Sequence, residues 1–282
     1  MIGLGVPSDD VRPCGRDNVL RRNAITRVRR LFVLLCGFEI LPKTISTKGV
    51  GGRFILSEPV CAYLLDTEDG WILLDAGLNP TKINDPQKAK IYYADRGMMA
   101  PVIRAEHDLA AQFRAIGIGF GDVSRVILSH MHLDHAGCIA QFAHAPIYVQ
   151  RREYERAFSD AAGIAYFKSD YDHPGLDWRL VDGDWEVMPG LTMLETSGHT
   201  PGHQSAVVRL PETGVIVLPF DAGDLQENFD LEIPPGETSD EAAALASIRR
   251  LKAILADTGG RLILLHDPVQ IQQTRLAPEF YG

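Results

Sequence analysis

The sequence predicts an α/β fold: two sheets with helices on their outer faces, built as one continuous domain. Three observations lead there. Apolar, β-rich runs come in groups separated by helical stretches, without the strict alternation of a parallel βαβ sheet. The 282 residues are 45% hydrophobic and 23% charged, as in a globular chain large enough to bury a core without disulfides. No internal repeat or low-complexity segment divides the chain.

The elements follow in order. Residues 1–30 hold seven Arg against three Asp and read as a basic, flexible N-terminal arm, leaving 31–282 as the domain. Arg29 and Arg30 precede an apolar run, as in a secretion signal. Glu39 interrupts that run and Pro42 and Lys43 close it, so Leu31–Phe38 is predicted as a first strand. SEPVCAYLLDT and GWILLDAG, joined by DTEDG, predict a hairpin. Residues 77–105 lack clean periodicity; they read either as a functional loop or lid, or as an irregular helix-containing connection. Glu106–Ile116 predicts an amphipathic helix with Leu109, Phe113 and Ile116 on one face. VSRVILS and APIYVQ are strands, RREYERAF is helical, and 160–176 is irregular. Strands are predicted at WRLVD, LTMLET, QSAVVRL and GVIVLPF. Thr238–Asp257 is the clearest helix, with Ser239 as N-cap and Leu245, Ile248, Leu251 and Ile254 as its buried stripe. RLILLHD is the last strand.

Composition excludes some functions. A net charge of −9 disfavours nucleic acid as a partner. No stretch of ~18 consecutive apolar residues predicts a membrane span. Four cysteines without C-x-x-C pairing, with Cys36 and Cys61 inside apolar runs, suit a reducing compartment, and a cytoplasmic location is expected.

The chemistry concentrates in SHMHLDHAG, residues 129–137. Zinc takes imidazole nitrogen and carboxylate oxygen. His130 and His132, two apart, can point the same way, and Asp134 and His135 lie just beyond. One metal would not take all four; two adjacent metals would. Partners appear downstream in the same context of apolar strand, ligand, then Gly or Pro: His199 in SGHTPGH, Asp221 in VIVLPFDAGD and His266 in LILLHDP. His203 is expected to support the His199 loop, and His107, His144 and His173 are expected at the surface.

His130-x-His132-x-Asp134-His135, with His199, Asp221 and His266, resembles the metallo-β-lactamase superfamily. HLDHAGC, IYVQRREYERAF, SGHTPGHQS and FDAGDLQENF extend the resemblance to its N-acyl-homoserine lactone lactonase branch, over roughly residues 30 to 282. DYDHPGL is similar to related lactonases acting on γ-butyrolactone-type rings. The resemblance implies an αβ/βα four-layer sandwich of two mixed sheets, a dinuclear zinc site (other divalent transition metals being alternatives), and hydrolysis of the lactone ring of these quorum-sensing signals by a metal-bridging hydroxide. It implies that His130, His132 and His199 hold one ion, that Asp134, His135 and His266 hold the other, and that Asp221 bridges. Asp134 would be catalytic, moving a proton toward the leaving alkoxide, and Asp75 would support the metal histidines.

The sequence departs from the lactonase pattern at Asp224, where members carry a tyrosine that donates to substrate. Asp224 either faces away, leaving that role to Tyr92, Tyr93 or Tyr171, or acts as a protonated acid. Leu133, Met98, Met99, Tyr92 and Tyr93 are candidate pocket walls. A related lactonase, esterase or phosphotriesterase of the same fold is the alternative activity. A metal-binding scaffold without catalysis is disfavoured because all seven ligands are present. The expected partner is a small lactone, and a second copy of the chain in a homodimer is compatible with the resemblance.

Overall fold

The computed structural model describes Arg12–Pro13 and residues 26–282. Most of the predicted N-terminal arm lies outside these residues. The described chain forms two six-stranded mixed sheets, as the fold class requires. The first runs β2 (Val28–Pro42), β3 (Ile55–Thr67), β4 (Gly70–Leu74), β5 (Val123–Ile127), β6 (Pro146–Gln150) and β7 (Asp177–Val181). The second runs β1 (Arg12–Pro13), β8 (Trp185–Met188), β9 (Leu191–Glu195), β10 (Gln204–Leu210), β11 (Gly214–Leu218) and β12 (Arg261–Leu262).

Strand alternation produces the four layers. Along β3, Cys61, Tyr63 and Leu65 face the second sheet and meet Met193, Val208 and Leu218 in one core. Val60, Ala62 and Leu64 face the other way and meet Phe113, Phe142 and Ala157 in a second. A third core joins Leu194, Val207 and Val217 of the second sheet to Ile248, Leu251 and Ile254 of the helix Glu241–Thr258. Strands buried on both faces must be apolar at consecutive positions, which is why these runs read as unbroken hydrophobic stretches.

Several boundaries differ from the sequence reading. The first strand extends well beyond Leu31–Phe38, because Arg30 pairs Asp66 across the hairpin and the strand continues to Pro42 opposite Ile55. The stretch 77–105 is the helix-containing connection: short helices at Pro80–Ile83 and Pro86–Tyr92 start at Asn79 and Asp85, whose side chains accept backbone N–H bonds before a proline. The helix predicted from Glu106 begins at Leu109, capped by Asp108. The long helix is capped by Asp240, which accepts the Ala243 N–H. Ser239 instead donates its hydroxyl to the Gly198 carbonyl, and Leu245 is only half-buried. Trp185–Met188 is a strand that the sequence reading missed. Only Arg261–Leu262 of the last run pairs as strand, with Ile263 adding one bond to Val217. His107 is buried against the Phe38 ring rather than at the surface, its Nδ1 accepting the Arg104 N–H.

Candidate metal centre

Five connections at one end of the sandwich converge. The 128–138 loop leaves β5, Asp75 follows β4, His199 sits in the β9–β10 connection, Asp221 follows β11, and His266 follows the last extended run. The two central loops are locked together: Ala76 N–H donates to the His135 carbonyl and Gly137 N–H to that of Gly77. A Cβ at Gly137 would lie 2.4 Å from the Gly77 oxygen, so only glycine fits.

All seven predicted ligands meet, none more than 7% exposed. They form two sets, His130, His132, His199 and Asp221, and Asp134, His135, His266 and Asp221, with the donor atoms of each within 4.8 Å of one another. Asp221 belongs to both through different oxygens. Its Oδ2 faces His130 Nε2 at 3.5 Å and His199 Nε2 at 3.4 Å; its Oδ1 faces His135 Nε2 at 3.2 Å and His266 Nε2 at 3.4 Å. Asp134 Oδ2 lies 3.0 Å from His135 Nε2 and 3.5 Å from His266 Nε2.

The far sides of the rings determine which nitrogen is free. His199 Nδ1 donates to the Glu237 carbonyl at 2.7 Å and His266 Nδ1 to the Pro59 carbonyl at 2.9 Å. His135 Nδ1 donates to Asp75 Oδ2 at 2.8 Å. Ser129 Oγ donates to the same oxygen and lies 3.0 Å from His130 Nδ1. Each contact places the proton away from the cluster and leaves an inward Nε2 lone pair, as metal-binding imidazoles require. His132 instead turns Nδ1 inward, 3.1 Å from His199 Nε2. His130 Nε2, His135 Nε2 and Asp221 Oδ1 are buried with no hydrogen-bond partner. Buried polar atoms are rarely left so. Two cations, one in each set, fit these orphaned donors.

Electrostatics follow the same division. Burial and the neighbouring imidazoles push the His130 and His132 pKa values well down. Burial also opposes charge on His135 and His266, yet Asp134, Asp221 and Asp75 around the first, and Asp221, Asp224 and Asp134 around the second, push these two up. Asp221 is held well below the usual carboxylate range: burial works against this, but His135, His130 and His266 outweigh it.

Supporting residues surround the ligands. Asp75 accepts from Ser129 through both N–H and hydroxyl while holding His135. Asp75 and Phe220, which immediately precedes Asp221, have φ of 60° and 49°. Left-handed backbone in non-glycine residues is uncommon and clusters at functional sites. His203 carries the Asp221 loop, not only that of His199: its Nε2 accepts the Asp221 N–H, and its Nδ1 lies 3.1 Å from the Thr196 carbonyl.

Sequence reasoning missed Glu153, wholly buried in the RREYERAF helix. It accepts from Met131 N–H and Tyr166 O–H through Oε1, and from Gly202 N–H through Oε2. It thus ties the His132 loop to the His199 loop. A mostly polar helix hid it, since nothing local distinguishes Glu153 from its exposed neighbours.

The predicted pocket residues separate. Leu133 and Met98 line the cavity above the ligands, together with Leu41, Ile45 and Ile164. Tyr93 is instead buried in the core against Phe167, Tyr92 lies under the Lys82 ammonium, and Met99 is 61% exposed. Tyr171 donates to the Ala157 carbonyl, so none of the three tyrosines considered as substitute donors reaches this cavity. Asp224 faces in: it is 5% exposed and lines the cavity beside Asp221 and His266. Burial first, then the Asp221 charge, raise its pKa well above the usual carboxylate range.

Comparison with known proteins agrees with this geometry. The sequence profile described as metallo-beta-lactamase superfamily matches residues 58–264. An N-acyl homoserine lactonase of Bacillus cereus is 31% identical over 257 residues, covering 90% of this chain and 99% of the relative. A solved N-acyl homoserine lactone hydrolase, with the product N-hexanoyl-L-homoserine at its catalytic metal center, superposes with a TM-score of 0.81 at 32% identity, covering 91% of this chain and all of that one. The more distant dizinc quorum-quenching lactonase AidC shares the fold, with a TM-score of 0.63 at 18% identity over 87% of this chain and 92% of its own.

Proposed function

Because the chain belongs to the metallo-beta-lactamase superfamily, we propose that it is a metal-dependent hydrolase that opens the lactone ring of N-acyl-homoserine lactones. The observation that carries this reading is the division of Asp221, one oxygen toward each of two three-residue sets. His130, His132 and His199 would hold one ion, Asp134, His135 and His266 the other, with Asp221 shared. The mixture of imidazole and carboxylate suits zinc. When bound, such a pair of cations supplies Lewis acidity and acidifies water at neutral pH.

The protein's own groups do the rest. Water adds to the ring carbonyl, the C–O ring bond breaks, and the products are a carboxylate, a primary alcohol and one proton released to solvent. One proton must travel from the attacking water to the departing ring oxygen. Asp134 stands in the cavity wall with His266, its Oδ2 3.0 Å from the Nε2 of His135 beneath, and is placed to carry that proton. Asp75, Ser129, Glu237 and the Pro59 carbonyl hold four of the five histidine rings, so the site needs little rearrangement during reaction. Leu133, Met98, Leu41, Ile45 and Ile164 give the acyl chain an apolar wall. The buried free thiols Cys36 and Cys61 suit the reducing cytoplasm included in this reading.

Metal analysis of the purified protein, with a pH-indicator assay on a panel of homoserine lactones, tests the proposal. Two zinc ions per chain and turnover of several lactones are expected. Two ions with paraoxon or aryl-ester turnover, but no lactone opened, would overturn it.

A further inference from the structure

One wall of the cavity is built from acceptors that the reaction above does not use. Glu39 on β2 and Glu58 on β3 are direct register partners, so two carboxylates stand side by side on the same face. Like charges placed opposite each other across strands are destabilising. Among the described residues, no lysine or arginine pairs with Glu39, Glu58 or Asp224. Glu58 is 1% exposed, and both its oxygens receive the one hydroxyl of Ser46, at 2.8 and 2.7 Å. Asp224 reaches the same wall from the loop after Asp221, and its buried Oδ1 has no hydrogen-bond partner. Among the described residues, the hydroxyl donor on this wall is that of Ser46, which both Glu58 oxygens take, while Asp224 Oδ1 has none.

These acids are not another ion site. Among the described residues, the donor groups close enough to hold a cation are the two ligand sets already described, and neither includes Glu39, Glu58 or Asp224. Nor do they suit an aliphatic chain, for which Leu41, Ile45, Met98, Leu133 and Ile164 line the cavity. Protons shared among these neighbouring carboxyls satisfy part of the set; what completes the acceptor oxygens left over is a ligand that brings its own donors, since unmet buried acceptors are costly until satisfied.

We propose that Glu39, Glu58 and Asp224 form an acceptor subsite that recognises a hydroxyl or ammonium group carried by the acyl portion of the lactone substrate. The inference rests on the lactonase reading and narrows its substrate class. The shared chemistry is an O–H or N–H donor near the scissile ring. A charged ammonium and a neutral hydroxyl both satisfy it, and separate substrates tell them apart.

The test compares homoserine lactones of one chain length whose acyl groups are unsubstituted, 3-hydroxylated or 3-aminated, using the metal-loaded enzyme. The donor-bearing member is expected to show a kcat/KM about tenfold or more above the unsubstituted one, as for a hydrogen bond to a charged group. Glu39→Gln, Glu58→Gln and Asp224→Asn are each expected to shrink that ratio toward one, whatever they do to absolute rates. Calorimetric binding of the matching non-hydrolysable lactams gives the same comparison without turnover. Equal or better handling of the unsubstituted lactone by the wild-type protein would overturn the subsite and leave the lactonase reading standing. A third divalent ion bound per chain, lost in Glu58→Gln, would also overturn it. Failure to open any lactone would strike the underlying reading, and with it this inference.

Discussion

At the scale of single residues, the site depends as much on groups that never face the cations as on those that do. Asp75 fixes the His135 ring from one oxygen and holds Ser129 from both. Replacing it with Asn keeps the shape but turns one acceptor into a donor, which confronts either Ser129 or the His135 Nδ1 proton. Asp75→Asn is expected to weaken metal binding about 10–100-fold, as measured for other residues that orient metal-binding histidines. Competition with a chromophoric chelator reads the affinity directly. Unchanged affinity would show that Asp75 serves the fold alone. Glu153 has the same character, satisfying two loop N–H groups and Tyr166 at once. Its importance was invisible in sequence because it depends on Met131 and Gly202, which are remote along the chain.

At the scale of elements, the two irregular segments turn out to be one structure. Lys82, in the helix Pro80–Ile83, pairs with Asp170 at 2.7 Å, with side chains 6% and 2% exposed. Asn79 also donates to Asp170, and the Lys82 ammonium lies 4.2 Å from the Tyr92 ring centroid and 5.0 Å from that of Phe167. The 79–98 connection, which carries Met98, is thereby fastened to the 160–176 segment, which carries Ile164. Both residues line the cavity. Lys82→Met leaves Asp170 buried without its cation, which costs about 3–5 kcal/mol when one partner of a buried pair is removed. Urea unfolding should show a loss of that order, and the KM for lactone should rise as the wall loosens. Stability within about 0.5 kcal/mol of wild type would mean that the pair contributes nothing. Neither segment has a clean hydrophobic period, and their order comes from this contact across the fold rather than from local propensity.

At the scale of the whole molecule, the ligands join two sheets. His130, His132, Asp134 and His135 extend from the first sheet, and His199, Asp221 and His266 from the second. Cations bound between them therefore brace the sandwich against opening. Metal present at 100 times its Kd adds about 2.7 kcal/mol, and 1 kcal/mol shifts Tm by roughly 2–4 °C for a domain of 150–250 residues. Removing metal with a chelator is thus expected to lower Tm by roughly 5–10 °C, reversibly, in a thermal scan. Reloading should also release protons at pH 7. In the metal-free protein the surrounding carboxylates favour a second proton on the His135 and His266 rings, and that proton competes with metal for the inward nitrogen. Affinity should accordingly fall as pH is lowered. A Tm indifferent to chelation would show that the ions do not join the sheets.

The ligand set was legible in the chain because each ligand follows an apolar strand and precedes a glycine or proline within a few residues, a pattern that local sequence carries by itself. The layered α/β architecture was legible for a similar reason: strand and helix runs differ in period, and periods are local. The diversion of Ser239 from the N-cap to the Gly198 carbonyl, the strand at Trp185–Met188 and the burial of His107 were not, because each depends on a neighbour brought in by the fold. Asp224 shows the division best. Sequence marked it as a departure but left open whether it faced the substrate, and only packing turned it into the cavity beside Glu39 and Glu58. Sequence alone determined which groups gather as candidate metal ligands, since that chemistry belongs to residue type and spacing. The tertiary structure decided what surrounds them, since burial, register and unmet hydrogen bonds arise only where distant strands meet.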